Sequence, residues 1–349
     1  MSRVRTLCLL FLIPAAALLG EKKFTVMSYN VQNLFDDVHD GSEYREYDPA
    51  GGAWNTEAFR VRVDAIAEVI RKSVAGGPDI VALQEVESLL ALKKLNEWGL
   101  ADLGYNQFVF YPKNNLAANV AVMSRMPVES VHAFTIGKWG DNPVRDVLEV
   151  VFLRDGRRLH LFVCHLKSKT GGDRDTEPAR LEGASKIARR VREILGSEAD
   201  ADILITGDFN ESLDEYRLAR KAYQTALVPL DAGAPEEFFS DSLFLSSVPA
   251  DAGLSGGRVV FYEPWFELKD EGRGSYSYRG KWETIDHMLL SAGLFDDKGF
   301  SYKKSSFRVM KEGFLVEGPA ETPRKWTDPK GAKGYSDHLP LLLTLTFSK

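Results

Sequence analysis

The chain has 349 residues, 44% of them hydrophobic, with 44 Lys+Arg against 50 Asp+Glu and a formal net charge of −6. This is an ordinary globular composition with ample material for a sizeable core. The acidic balance excludes a general electrostatic footprint for nucleic acid, leaving such binding to a local basic stripe or a bound divalent cation.

In chain order, Arg3 and Arg5 precede the apolar run TLCLLFLIPAAALLG, which ends in small residues before a charged EKK. The run is short of the ~20 residues that a spanning helix needs. Residues 1–20 therefore read as a signal peptide, and the expectation is an exported protein, periplasmic or secreted. The cysteines are Cys8 and Cys164, so removal of the leader would leave one thiol and no intrachain disulfide. Residues 21–349 show no repeat, low-complexity tract or Pro-rich linker and read as one domain, a monomer with no obligate partner evident. Apolar runs predict buried strands over 24–30, 79–85, 118–124, 159–165, 202–208 and 284–291. Phe59, Val63, Ile66 and Ile70 mark a helix capped by Asn55 or Thr56; Leu181, Ala184, Ile187, Val191 and Leu195 mark a second, with Pro178 in its first turn. Strands interleaved with helices indicate α/β layers. Residues 228–280, rich in Gly, Ser, Asp and aromatics, read as long loops or an insertion.

Several of these strands end on groups that ligate hard metals or move protons: Asn30, Glu85, His165 and Asp208. With Asp286 and the Asp337–His338 pair they describe a carboxylate, amide and imidazole cluster at one sheet edge, and such a cluster repels itself unless a cation sits within it.

The blocks SYNVQNL, ALQEVE, CHLKSK, TGDFNE, ETIDHMLLS and YSDHLPL, in this order, resemble the six signature blocks of the endonuclease/exonuclease/phosphatase superfamily, across Phe24 to Phe347. The resemblance implies a four-layer α/β sandwich, two packed mixed β-sheets flanked by helices, and metal-assisted cleavage of a phosphoester. It implies Asn30 and Glu85 as metal site, with Asp337 as a further metal or scaffold carboxylate, and Mg²⁺ as the ion, with Mn²⁺ or Ca²⁺ as substitutes. Asp208 and Asn210, one residue apart along an extended run, would face the same side and position water and phosphate. His338, oriented by Asp286, resembles the imidazole that contacts phosphate or takes a proton; His165 resembles the second family histidine; Arg145 falls where the family carries a bracing arginine. The assignment of acid and base stays open. His39, His132, His160 and His287 read as structural, Asp36, Asp37 and Asp40 as a solvated acidic loop, and Cys164 as core.

The substrate is less sharply indicated. Lys167, Lys169, Arg174 and Arg180 follow His165, and Tyr276, Tyr278, Arg279, Lys281 and Trp282 precede Asp286. Basic groups interleaved with aromatics suit a nucleic-acid strand, so the expectation is a nuclease acting on DNA or RNA. The alternative is a sphingomyelinase-like phospholipase C or another phosphatase, on lipid or inositol phosphate, with residues 259–268 available to dock on a membrane. A catalytically dead binding module fits less well, because every polar site position is filled.

Overall fold

The computed structural model describes residues 22–112, 116–327 and 333–348; the leader assigned to residues 1–20 lies outside them. Side-chain alternation in β1 (Lys22–Leu34) sets the layers: Phe24 and Val26 enter the core between two sheets, whereas Met27 and Tyr29 join a second core beneath α1 (Thr56–Ser73). The strand β2 (Ile80–Val86) repeats the division, Ile80 and Ala82 inward, Val81 and Leu83 outward. Asn55 caps α1, its side chain accepting from the backbone N–H of Glu57 and Ala58, and Phe59, Val63, Ile66 and Ile70 form the buried stripe.

The chain continues through β3 (Gln107–Phe110), β4 (Asn119–Ser124), β5 (Val128–Phe134), β6 (Val147–Arg154) and β7 (Arg157–His165). A long helix, α2 (Asp173–Ser197), leads to β8 (Asp202–Asp208). This helix starts before the expected turn, which puts Pro178 inside it. Arg180 holds the early turn together by donating to the Asp173 carbonyl (2.6 Å) and to Thr176 Oγ1 (2.8 Å). Residues 228–280 also differ from expectation. They build β9 (Leu227–Pro229), β10 (Leu243–Ser246), β11 (Gly253–Ser255) and β12 (Arg258–Tyr262), which widen a sheet, and then the first strand of the hairpin β13 (Tyr276–Tyr278) and β14 (Lys281–Glu283). Short apolar runs such as Leu243–Leu245 are buried there by sheet neighbours that are distant in sequence. The fold closes with β15 (Asp286–Leu290), β16 (Gly299–Tyr302), β17 (Arg308–Val309) and β18 (Leu341–Ser348).

One mixed sheet of seven strands runs β16-β18-β1-β2-β4-β3, with β17 beside β18; the other, of nine, runs β9-β10-β12-β15-β8-β7-β6-β5, with β11 beside β12. The inner faces share one apolar core, α1 covers the first sheet, and α2 packs on the second, which makes the expected four layers. Register places the polar strand ends together. In the second sheet Asp208 lies opposite His165 across the parallel β7–β8 pair and opposite Asp286 across the antiparallel β8–β15 pair. Gly207 makes this approach possible: at φ 134° its position would put a Cβ only 1.9 Å from the Cys164 carbonyl oxygen.

Candidate active site

The C-terminal ends of β1, β2, β7 and β8, the start of β15 and the 336–338 turn meet in a cleft of about 450 Å³ lined by Glu85, His165, Asp208, Asn210, Tyr276, Tyr278, Asp337 and His338, among others. Asn30 lies beneath it. Its Nδ2 donates to Glu85 Oε1 (3.2 Å) and Asp208 Oδ2 (3.1 Å), while its Oδ1 accepts from the Gln32 N–H (3.0 Å). In this arrangement Asn30 bridges and holds the two carboxylates, with its amide oxygen accepting from the backbone.

Asp208 is the hub. Oδ1 accepts from the Asn210 N–H (2.8 Å), and Oδ2 lies 3.5 Å from His165 Nε2 and 3.8 Å from His338 Nε2. Burial pushes its pKa up, with the nearby His338 pulling the other way. Asn210 is not on an extended run as expected. The strand ends at Asp208, and Asn210 reaches the cleft from a tight turn at φ 53°, its Nδ2 donating to the Leu166 carbonyl (3.2 Å).

The two histidines are held in opposite states. Burial, reinforced by the charges of Arg145, His338 and Lys167, depresses His165 well below the usual imidazole range. Its Nδ1 is buried without a partner, so the neutral ring carries its proton on Nε2, the nitrogen facing Asp208. Burial opposes the charge on His338 as well, but Asp286, Asp208 and Asp337 outweigh it and raise its pKa well above the usual range. His338 Nδ1 meets Asp286 Oδ2 at 2.8 Å, and Ser275 Oγ donates to the same oxygen at 2.5 Å. Tyr276 packs over the His338 ring, with centroids 4.8 Å apart.

Asp337 sits on the rim, 4.0 Å from His338 Nε2, with its side chain 37% exposed. Glu85, the penultimate residue of β2, sits at φ 66°, and burial raises its pKa against the pull of Arg145. Arg145 donates to the Ala118 carbonyl (2.9 Å) and meets the Tyr44 hydroxyl, so it braces this side of the cleft. Glu85, Asp208 and Asp337 are hard oxygen donors with no thiol among them, a set that fits Mg²⁺, Mn²⁺ or Ca²⁺.

The basic residues fare differently from expectation. Lys169 lines the cleft but pairs with Glu215 (2.8 Å). Lys167 donates to the Ser168 carbonyl (3.1 Å) and lies 4.5 Å from the Trp139 ring centroid. Arg174 is exposed over Tyr223 rather than in the cleft, and Arg180 is fully buried in a pair with Glu177 (2.7 Å) and Glu211 (3.0 Å). Trp282 is half-buried and packs against the α1-side core. Within residues 259–268, offered for membrane docking, Phe261 on the interior strand β12 is 1% exposed, Trp265 in the turn after it is 0% exposed, and Phe266 is half-buried against the core. His287 and His160 are structural as expected, bound to Glu263 (2.6 Å) and Glu149 (2.8 Å). Cys164 is buried, and burial pushes its thiol pKa up. Ser275, Tyr44, Asp173 and Glu283 carried no signal in the sequence; tertiary contacts bring them to the site.

A sequence profile described as the Endonuclease/Exonuclease/phosphatase family matches residues 25–226 and 250–347. The chain belongs to the endonuclease/exonuclease/phosphatase family. The unmatched stretch between the two blocks takes in β9 and β10 of the second sheet. Among curated protein sequences none matches. Among solved structures, truncated TDP2 from Caenorhabditis elegans is similar at a TM-score of 0.54 and 16% identity, covering 93% of this chain and 98% of that one. TDP2 from D. rerio complexed with single-strand DNA product is similar at 0.52 and 14%, covering 93% and 98%. The mannosyl-6-phosphatase Bt3783 of Bacteroides thetaiotaomicron is similar at 0.52 and 18%, covering 93% and 100%. These likenesses establish the endonuclease/exonuclease/phosphatase sandwich fold.

Proposed function

We propose that this protein is a divalent-metal-dependent phosphodiesterase acting on nucleic acid, exported by the leader at residues 1–20. The observation that carries the phosphoester chemistry is the register of β7, β8 and β15, which aligns His165, Asp208 and Asp286 in one row and brings His338 onto Asp286 at 2.8 Å. Glu85 and Asp337 would hold the cation, which supplies charge neutralisation at the phosphoryl oxygens when bound. Asp208, its basicity raised by burial, takes a proton from the attacking water that Asn210 helps to orient. As the water oxygen bonds to phosphorus, the bond to the leaving oxygen breaks and His338 returns a proton to that oxygen. His165, neutral and protonated on Nε2, donates to a non-bridging phosphate oxygen.

The nucleic-acid assignment is supported by Tyr276 and Tyr278 along the cleft, which offer stacking surfaces, and by the fold shared with a protein solved with single-strand DNA product. A second reading, a small phosphomonoester, is favoured by the pairing of Lys169 with Glu215 and by Asp173 and Glu283 in the cleft wall, since acidic groups suit hydroxyls better than a polyanion. Purified mature protein should be assayed with and without Mg²⁺ on plasmid, linear and single-stranded DNA, RNA, sphingomyelin, inositol phosphates and a sugar phosphate. Cleavage of DNA or RNA that stops with chelator and returns with Mg²⁺ or Mn²⁺ supports the proposal. Turnover confined to the sugar phosphate selects the second reading, and full activity in excess chelator refutes the mechanism. N-terminal sequencing of exported protein tests the leader, with a start expected near residues 18 to 22; an intact Met1 on cytoplasmic protein would refute export.

A further inference from the structure

The loop after β1 reads in the sequence as a solvated acidic segment, and Asp40 is exposed and Asp37 half-buried there, but carboxylates beneath it are buried. Asp36 is 4% exposed, the side chain of Glu43 2% and Glu87 7%. One carboxylate oxygen from each of Asp40, Glu43 and Glu87 lies within 4.8 Å of the others. Glu87 Oε2 accepts from the Asp36 N–H (2.8 Å), but Oε1 is buried with no hydrogen-bond partner. The charges acting on Glu87 are those of Asp36, Glu43 and Asp40, all of its own sign.

Other buried glutamates in this protein have cations. Glu149 pairs with Arg190 (2.8 Å), Glu177 (2.7 Å) and Glu211 (3.0 Å) with Arg180, and Glu263 with His287 (2.6 Å). Among the described residues no Lys or Arg pairs with Glu87, and the nearest basic group in the cluster is His39, 3.6 Å from Glu43 and itself bound to Asp48 at 2.8 Å. Asp202 also has a buried, unpartnered oxygen, but it belongs to no such cluster. Converging carboxylates with a desolvated, unpaired oxygen call for a positive charge at their centre.

We propose that Asp40, Glu43 and Glu87 form a second cation site, one that takes Ca²⁺ and is separate from the catalytic cleft. All the donors are hard carboxylate oxygens, the ligand chemistry that Ca²⁺ takes. Asp40 is exposed, so the outer side of the site is open to water ligands. The cation would close the loop onto the end of β2. Tyr44, adjacent to Glu43, packs on Phe35 (5.2 Å between centroids) and meets Arg145, so the same closure holds Arg145 beside Glu85. The site therefore acts as a buttress for one wall of the cleft.

The test is Ca²⁺ binding to the whole, chelator-stripped mature chain, followed by calorimetry and thermal unfolding without any turnover measurement, so its outcome is independent of the proposed activity. Wild type should bind Ca²⁺ with a Kd in the ~10⁻⁴–10⁻³ M range or tighter and gain thermal stability, and Glu85→Gln, which disables the catalytic centre, should keep that response. Glu87→Gln and Asp40→Asn should each weaken Ca²⁺ at least about tenfold. If Glu87→Gln fails to fold, Asp40→Asn at its exposed position decides. Absence of Ca²⁺ binding in wild type, an unchanged response in Asp40→Asn, or loss of the response in Glu85→Gln would each overturn the proposal.

Discussion

Replacing Asp286 by Asn keeps the size of the side chain and removes the charge that holds His338. The His338 Nδ1–Asp286 Oδ2 distance is 2.8 Å, and the ring is buried, so the imidazolium exists because its counter-ion outweighs desolvation. At an effective dielectric of about 20, two unit charges that close attract by about 6 kcal/mol. That sets an upper bound near four decades for the rate loss, at about 1.4 kcal/mol per decade. The lower bound of roughly 10²-fold is that of an acid–base group left in the wrong tautomer or protonation state. We expect kcat/KM on a chromogenic phosphodiester to fall ~10²–10⁴-fold in Asp286→Asn. The pH profile should change with it. His338 in the wild type stays protonated above the ordinary imidazole range, and without Asp286 burial drives it the other way, so the alkaline limb should move to lower pH. Ser275 Oγ can still donate to the Asn oxygen, so the thermal midpoint should shift little, which separates loss of chemistry from loss of fold. A variant within about threefold of wild type, or one whose alkaline limb stays in place, would refute the assignment of His338 as the proton donor.

Three further outcomes can be checked. Burial pushes Asp202 from its ordinary 3.8 up to about 8; the native state therefore binds a proton that the unfolded chain has released. Wild-type stability should fall as pH rises from about 4 to 8, and the stability of Asp202→Asn relative to wild type should climb over the same window by up to ~1.4 kcal/mol per pH unit in urea unfolding, whereas a pH-independent difference would refute it. Gly207→Ala places a Cβ 1.9 Å from the Cys164 carbonyl and must push β7 from β8, so it should destabilise by ~2–4 kcal/mol and disrupt the His165–Asp208 pairing, with turnover at saturating substrate falling further than unfolding accounts for. Lys167→Glu with Lys169→Glu should weaken DNA binding and flatten its dependence on log salt by about 0.9 for each phosphate no longer neutralised, if these residues leave Trp139 and Glu215 for a polyanion; an unchanged slope favours the small phosphomonoester.

Much of the architecture was legible because its signals are local. The alternation of Phe24–Tyr29 and of Ile80–Leu83 needs neighbouring residues alone to declare a two-faced strand, and Asn55 followed by Phe59, Val63, Ile66 and Ile70 declares a capped helix. The polar strand ends were legible for the same reason: an apolar run that stops on Glu85, His165 or Asp208 interrupts its own pattern. What those groups do was decided elsewhere. The opposite protonation of His165 and His338 follows from which charges stand around two equally buried rings, and Asp286 is 52 residues from His338. The orientation of Asn30 depends on carboxylates 55 and 178 residues away. Lys167, Lys169 and Arg180 read alike as a basic run, yet Arg180 became core because Glu211, 31 residues on, meets it in the interior. Residues 243–262 became sheet instead of loop because β10 and β12 pair with each other and β12 also with β15, an energy that no short window contains. Sequence by itself determined which residues could bear chemistry, since side-chain type and periodicity are local properties; tertiary structure decided which of them share a site and in what charge state, since Coulomb energy and desolvation depend on distances through space.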